Sequence, residues 1–231
     1  MSSRYESLKL RMLTVERLRL IKKSYSYSEL SRYTGLPEAV LCRYVKGSVL
    51  PSEETAQELW NKIEKLESLS SLLKKRIRFT SDGYIDITNV IYDPYILEHA
   101  AHYVAMKFAG RRINKIMTAA INGIPLAAVI ANNLEKKLVV AKTAKEVGIK
   151  NFIEVAYPSE SSAELRSLYI PKGSIKATDE ILIVDDIIRT GRTINALINL
   201  IKKAKGKIGK QKIKINCPIE IATTLESKGI R

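Results

Sequence analysis

Apolar residues recur at helical spacing through the first third of the chain. They are Leu10, Leu13, Leu18 and Ile21, then Leu30 and Tyr33, then Val40, Leu41 and Tyr44, then Leu59, Ile63 and Leu66. Steps of three and four residues predict a series of amphipathic helices. Beyond residues 80–90 the pattern changes. Short Ile- and Val-rich runs at 113–117, 137–140, 152–155, 180–184 and 213–221 alternate with helical patterns at 94–108, 125–133 and 193–203. That alternation predicts an α/β fold built on a parallel sheet. Ser81-Asp82-Gly83 is a turn-rich joint, so the expected division is a helical part, 1–80, and an α/β part, 81–231.

Within the helical part, Ser28 is placed to cap a helix, SELSRYTG, that stops at Gly35, a residue suited to a left-handed turn. Pro37 opens a second helix, PEAVLCRYVKG, ending at Gly47, and Ser52 caps a third with acidic residues in its first turn. Two short helices around a Gly-containing turn make a helix-turn-helix unit, whose second helix enters the major groove of DNA. Over residues 10–66 the chain resembles the repressor-type helix-turn-helix family. The resemblance implies base-facing residues drawn from Glu38, Ala39, Cys42, Arg43 and Lys46, with Arg43 and Lys46 as the DNA-binding cations. Small helical bundles of this pattern also serve as dimerisation modules or as covers for an active site.

Composition narrows the classes. A chain of 231 residues is long enough for one sizeable α/β domain and a small companion. The formal net charge is +15, divided as +7 over residues 1–80 and +8 over the remainder. This suits nucleic acid or a phosphorylated metabolite, although a generally basic proteome would give the same excess. No apolar run approaches the ~18 to 20 residues needed to span a bilayer, and the charged N-terminus lacks a secretory core. Cys42 and Cys217 lie far apart without metal-ligand spacing, as reduced, buried residues of a cytoplasmic protein would. No membrane partner is expected.

The richest chemistry lies in ILIVDDIIRTGRT, residues 181–193. Four apolar residues read as a strand buried on both faces. Asp185 and Asp186 follow where it ends, the edge at which open α/β sheets bind ligands. Adjacent carboxylates there can accept hydrogen bonds from vicinal ribose hydroxyls and help to hold a hydrated Mg²⁺. Arg189, Thr190, Gly191, Arg192 and Thr193 then form a tight loop feeding a helix. Its backbone N–H groups, the helix dipole and two hydroxyls make an anion site for a terminal phosphate. Diol, metal and phosphate groups in that order describe a 5-phosphoribosyl ligand.

This string resembles the phosphoribosyl pyrophosphate (PRPP) signature of the type I phosphoribosyltransferases, with Arg189 and Arg192 departing from its commonest form. The resemblance covers roughly residues 93–225. It implies a Rossmann-like parallel-sheet core, with a pyrophosphate loop at Ala119, Ala120, Ile121, Asn122 and Gly123 that often holds a strained non-proline peptide. It also implies a pyrophosphate-binding Lys142, with Lys145 in reserve. The polar stretch AYPSESSAELRSLYIP, 156–171, stands in the place of the family's flexible catalytic loop, closest to that of adenine phosphoribosyltransferases. The family's loop glutamate falls near Ser162, flanked by the catalytic candidates Glu160 and Glu164, and Arg166 could also reach pyrophosphate or base.

A helix-turn-helix followed by such a domain looks like archaeal fusion proteins that include both enzymes and transcription regulators. The expected function is PRPP-dependent purine salvage, adenine favoured, giving a nucleoside 5′-monophosphate and pyrophosphate with Mg²⁺. The alternative is a regulator that binds double-stranded DNA and senses PRPP or a nucleotide. A homodimer is implied by either family. His99 and His102, at ordinary apolar helical spacing, read as packed or surface residues rather than ligands. The nucleobase hood is left to the N-terminal helices or to residues 217–225.

Overall fold

The structure, a computed structural model, describes residues 4–82, 84–159, 164–188 and 190–205, and the backbone of 207–208. Five helices come first: α1 (Arg4–Ile21), α2 (Tyr27–Thr34), α3 (Glu38–Lys46), α4 (Glu53–Leu66) and α5 (Leu69–Arg76). A short antiparallel pair follows, β1 (Arg78–Phe79) and β2 (Ile85–Asp86), then α6 (Thr88–Ile91) and α7 (Pro94–Lys107). The remaining elements are β3 (Lys115–Ala119), α8 (Gly123–Asn133), β4 (Lys137–Ala141), β5 (Phe152–Pro158), β6 (Leu165–Pro171), β7 (Glu180–Ile183), α9 (Arg192–Lys203) and β8 (Lys207–Ile208). The predicted strand at 213–221, Cys217 and the proposed hood at 217–225 lie outside the described residues.

The chain forms two compact units. One contains residues 1–76 and 94–110, the other 77–93 and 111–231. The pattern of apolar residues places α7 with the α/β part, but in space it packs against α1 and α5. Its sequence is apolar nearly all round, and the helical bundle buries Ile96, Leu97, Ala101, Val104 and Ala105. Joint residues 81 and 82 lie between β1 and β2, within the second unit.

Leu18, Ile21, Leu30, Leu41, Leu59 and Ile63 form the bundle's core. Helix α2 is capped by Ser26 rather than Ser28: the Ser26 hydroxyl accepts from Glu29 N at 3.2 Å and the Glu29 carboxylate accepts from Ser26 N. The sequence SYSYSE offers three serines, and the one three residues before the glutamate completes a capping box. Lys62 Nζ donates to Thr34 O and Arg19 Nε to Val45 O, both at 2.6 Å, placing cations on the carbonyl ends of α2 and α3.

A buried polar cluster ties α1, α7 and the end of α4 together. Arg17, fully buried, donates from Nη2 to Glu64 Oε2 at 2.8 Å and to Glu67 O at 3.0 Å. The Glu67 carboxylate also accepts from the Tyr95 hydroxyl and lies 3.4 Å from His99 Nε2. Burial, helped by the nearby Arg17 charge, pushes the His99 imidazole down to about 3 and His102 to about 4. These two histidines are therefore packed and neutral, as their spacing suggests.

In the second unit β4, β3, β7 and β8 form a sheet in that order, with every pair parallel. Strands β5 and β6 form an antiparallel hairpin joined to the β4 edge through a bridge between Lys142 and Tyr169. Residues 156–171 are thus mostly strand rather than a long loop. The alternation of Leu168 and Ile170, both buried, with Ser167 and Tyr169 is the period-two signal that the polar composition obscures. Past the last ladder pair, Pro158 with Leu165, Ser159 N donates to Glu164 O at 2.9 Å.

The histidines set a pH dependence. Their folded values lie below the unfolded ~6.5, so the unfolded chain binds more protons and stability falls as pH drops below 6.5. At pH 5.5 each neutral histidine costs about 1.4 kcal/mol, or about 2 to 3 kcal/mol for the pair. Glu16 and Glu64, whose carboxyls burial holds above the ordinary 4.5, act with the opposite sign, costing stability as pH rises from 4.5 through their folded values. Urea unfolding followed by the single Trp60 is expected to show this loss between pH 7 and 5.5. A His99→Leu, His102→Leu double variant should flatten it.

Candidate functional site

Parallel pairing of β3 with β7 brings two loops side by side at the carboxyl edge of the sheet. The register Met117↔Ile183, extended by Val184 N donating to Met117 O at 2.8 Å, sets Ala119–Gly123 against Asp185 and Asp186. Helix α8 starts at Gly123, and its first turn points N–H groups toward that edge. A methyl group on Gly123 would stand 2.3 Å from Thr118 Oγ1 and 3.1 Å from Asp185 Oδ1. Glycine is therefore required here for close approach. The Ala120–Ile121 peptide is cis, and Ile121 is 76% exposed.

After β7, Asp185 is buried and its Oδ1 accepts from Asp186 N at 3.1 Å. The chain then turns through Gly191, in the left-handed region with φ 75°, into α9. A residue with a side chain would be strained there, so the glycine sets where the amino end of α9 points. Arg192 N donates weakly to Thr190 Oγ1 at 3.4 Å, and Asn195 N donates to Gly191 O.

These loops enclose a cleft of about 520 Å³. Its lining includes the predicted Ala119, Ala120, Ile121, Asn122, Asp185, Asp186, Gly191 and Thr193. Gly123 lies buried beneath it. Glu160 and Arg189 lie outside the described residues. Four more expected residues do not line the cleft, one of them Thr190, whose hydroxyl faces Arg192 N. Glu164 closes the hairpin tip through its carbonyl. The Arg192 guanidinium is turned away, donating from Nη1 to Ser159 O at 2.5 Å. Lys142 pairs with Glu146, because strand alternation points Ala141 into the core and Lys142 to the other face. The reserve Lys145 lies 3.7 Å from Glu154 and over the Tyr169 ring.

The cleft also has walls that sequence reasoning missed: Ile85 and Ile87, Thr143, Tyr157, and the apolar run Ile187 and Ile188. Asp86, between the two isoleucines, accepts from Thr88 N at 2.9 Å instead. The signal was the local alternation Ile-Asp-Ile after a turn. Arg166 lines the cleft too, as the cross-strand partner of Tyr157. Among the described residues no three or more His, Cys, Asp or Glu side chains converge as a metal cage. Mg²⁺ asks for less, one or two carboxylates with waters and phosphate oxygens, and Asp185 with Asp186 fit that need. Among the described residues no helix is long and apolar enough to cross a membrane.

In the helical unit, α3 leaves Glu38, Ala39, Arg43 and Lys46 exposed, with Cys42 half-buried. Helices α2 and α3 meet at Gly35, and their relation fits a helix-turn-helix.

Residues 89–228 match the phosphoribosyl transferase domain family. The purine biosynthesis transcriptional repressor PurR of Bacillus subtilis is 29% identical over 209 residues, covering 90% of this chain and 69% of that protein. The probable purine biosynthesis transcriptional regulator PurR of Streptococcus pneumoniae is 31% identical over 141 residues, 61% of this chain. This chain spans about half the length of that relative, 51%. Among solved structures, adenine phosphoribosyltransferase from Rhodothermus marinus shares the fold with a TM-score of 0.54 and 25% identity, over 61% of this chain and 82% of that one.

Substituting Gly123→Ala is expected to displace Thr118 and Asp185 and to lower stability by roughly 1 to 3 kcal/mol in urea unfolding. Thr118→Ala added to it should recover part of the loss. Unchanged stability in the single variant would show that this close approach is not a constraint on Asp185.

Proposed function

We propose that this chain, which belongs to the phosphoribosyl transferase domain family, is a DNA-binding regulator whose cleft takes PRPP or a purine nucleoside monophosphate as effector. The observation that carries this reading is the reach of the likeness to the Bacillus repressor. It runs through 90% of the chain, whereas likeness to the Rhodothermus enzyme covers 61%. The exposed cations of α3 add to it.

In this reading Asp185 and Asp186 accept hydrogen bonds from the ribose diol. The amides at 190–193 and the amino end of α9 take the 5′-phosphate, and residues 119–123 present backbone N–H groups to pyrophosphate. Ile85, Ile87 and Tyr157 cover the apolar faces of a purine. Bound Mg²⁺, held with Asp185 and Asp186, would neutralise pyrophosphate charge. Arg43 and Lys46 meet DNA, two copies of the chain reading two half-sites in the cytoplasm.

A second reading, phosphoribosyl transfer to a purine with adenine favoured, rests on the apolar wall standing beside the diol and phosphate groups in one cleft. A ring nitrogen of the base would form a bond to C1 of the sugar as the C1–oxygen bond to pyrophosphate breaks. The protein's part is then positioning and electrostatics.

Calorimetry with Mg²⁺ and PRPP is expected to give binding that an Asp185→Asn, Asp186→Asn variant loses while its fold persists. Retention of affinity in that variant would refute the site. DNA from the chain's own upstream region should bind with a steep salt dependence, and PRPP should shift that affinity. Arg43→Ala and Lys46→Ala should each reduce the salt slope by about one if they meet phosphates. Pyrophosphate release with adenine, hypoxanthine or guanine, without DNA binding, would favour the enzyme.

A further inference from the structure

We infer that Arg166, rather than Lys142, is the cation that reads the pyrophosphate of the ligand, and that it makes the cleft selective for PRPP over sugar monophosphates. The inference rests on the phosphoribosyl reading above and names the ligand within it.

The geometry starts from the bridge between β4 and β6. Lys142 and Tyr169 exchange both backbone hydrogen bonds, Lys142 N to Tyr169 O at 3.0 Å and Tyr169 N to Lys142 O at 2.8 Å. The strands run antiparallel there, so the amino end of β6 projects past the carboxyl end of β4. Arg166 stands three residues beyond the bridge, about 10 Å along an extended strand. That puts it over the ligand-binding edge of the parallel sheet. Leu168 and Ile170, on the same face of β6, are buried in the core. Arg166 continues their row beyond the core, next to Tyr157, and so reaches the cleft.

Charge points the same way. Among the described residues lining the cleft, Arg166 is the one cation, set against the two carboxylates Asp185 and Asp186. A ligand bearing a diphosphate and a monophosphate brings more negative charge than backbone amides and one hydrated Mg²⁺ balance. Lys142 is already paired with Glu146, and Lys145 with Glu154. Neither lines the cleft. A planar guanidinium suits the charged non-bridging oxygens of a diphosphate, which it can engage bidentately.

Binding of PRPP and of ribose 5-phosphate, each with Mg²⁺, should be measured by calorimetry on the full chain. For Arg166→Gln the expected result is a loss of about thirtyfold or more for PRPP, near 2 kcal/mol, with ribose 5-phosphate affinity within about twofold of wild type. Arg166→Lys should regain part of the PRPP affinity, and Lys142→Gln should leave it within about threefold. A larger loss for Lys142→Gln, or equal losses of both ligands for Arg166→Gln, overturns the assignment while leaving the site. Failure of the wild type to bind either ligand overturns the site reading and this assignment with it.

Discussion

The site depends on one close approach. Strands β3 and β7 are direct neighbours in a parallel sheet, so the loops that follow them emerge side by side. They can do so because Gly123 has no side chain to push Thr118 and Asp185 apart. From this contact follow the burial of Asp185, the direction of the first turn of α8, and the position of Asp186 at the rim. The phosphate loop completes the arrangement through the left-handed Gly191, which aims α9 at the same edge. Two carboxylates and the amino ends of two helices thereby meet at one cleft.

The elements and the strand-end chemistry were legible where the pattern was long and unmixed. The continuous apolar run 181–184 could only be a strand buried on both faces. An acid pair and a glycine turn following it could only lie at the sheet edge. Reading failed where local composition and tertiary placement diverge. The hairpin β5–β6 is polar on one face and carries Ser and Glu at its tip, so it reads as loop. Its inward row, Val155, Leu168 and Ile170, appears only once the two-residue period is followed. Lys142 does not line the cleft for a related reason: side-chain direction at a strand end follows alternation, and Ala141 already occupies the inward side. The apolar wall at Ile85 and Ile87 carries only a local alternation, and nothing in a linear reading ties it to residues a hundred positions later.

The helical unit shows what burial does to ionisable groups that have no catalytic duty. Arg17 is held under Trp60, 5.6 Å from its ring, and shared between Glu64 and Glu67. Burial first, and the Arg17 charge second, keep His99 and His102 neutral. Breaking one member of such a cluster exposes the others as unpaired buried charges. The cluster thus fixes how α1, α4 and α7 associate more strictly than their apolar faces would alone.

The threading of the chain gives this architecture a history. A domain joined at one point can be gained or lost as a cassette. Here the backbone passes from one unit to the other after residues 76, 93 and 110. The stretch that carries Ile85 and Ile87 is consequently a span between two anchors, α5 and α7, both set in the helical bundle. Deleting the bundle at residue 77 would strip α7 of the partners that shelter His99 and His102, and would untie one end of the cleft wall. No single cut therefore separates the two units of this chain.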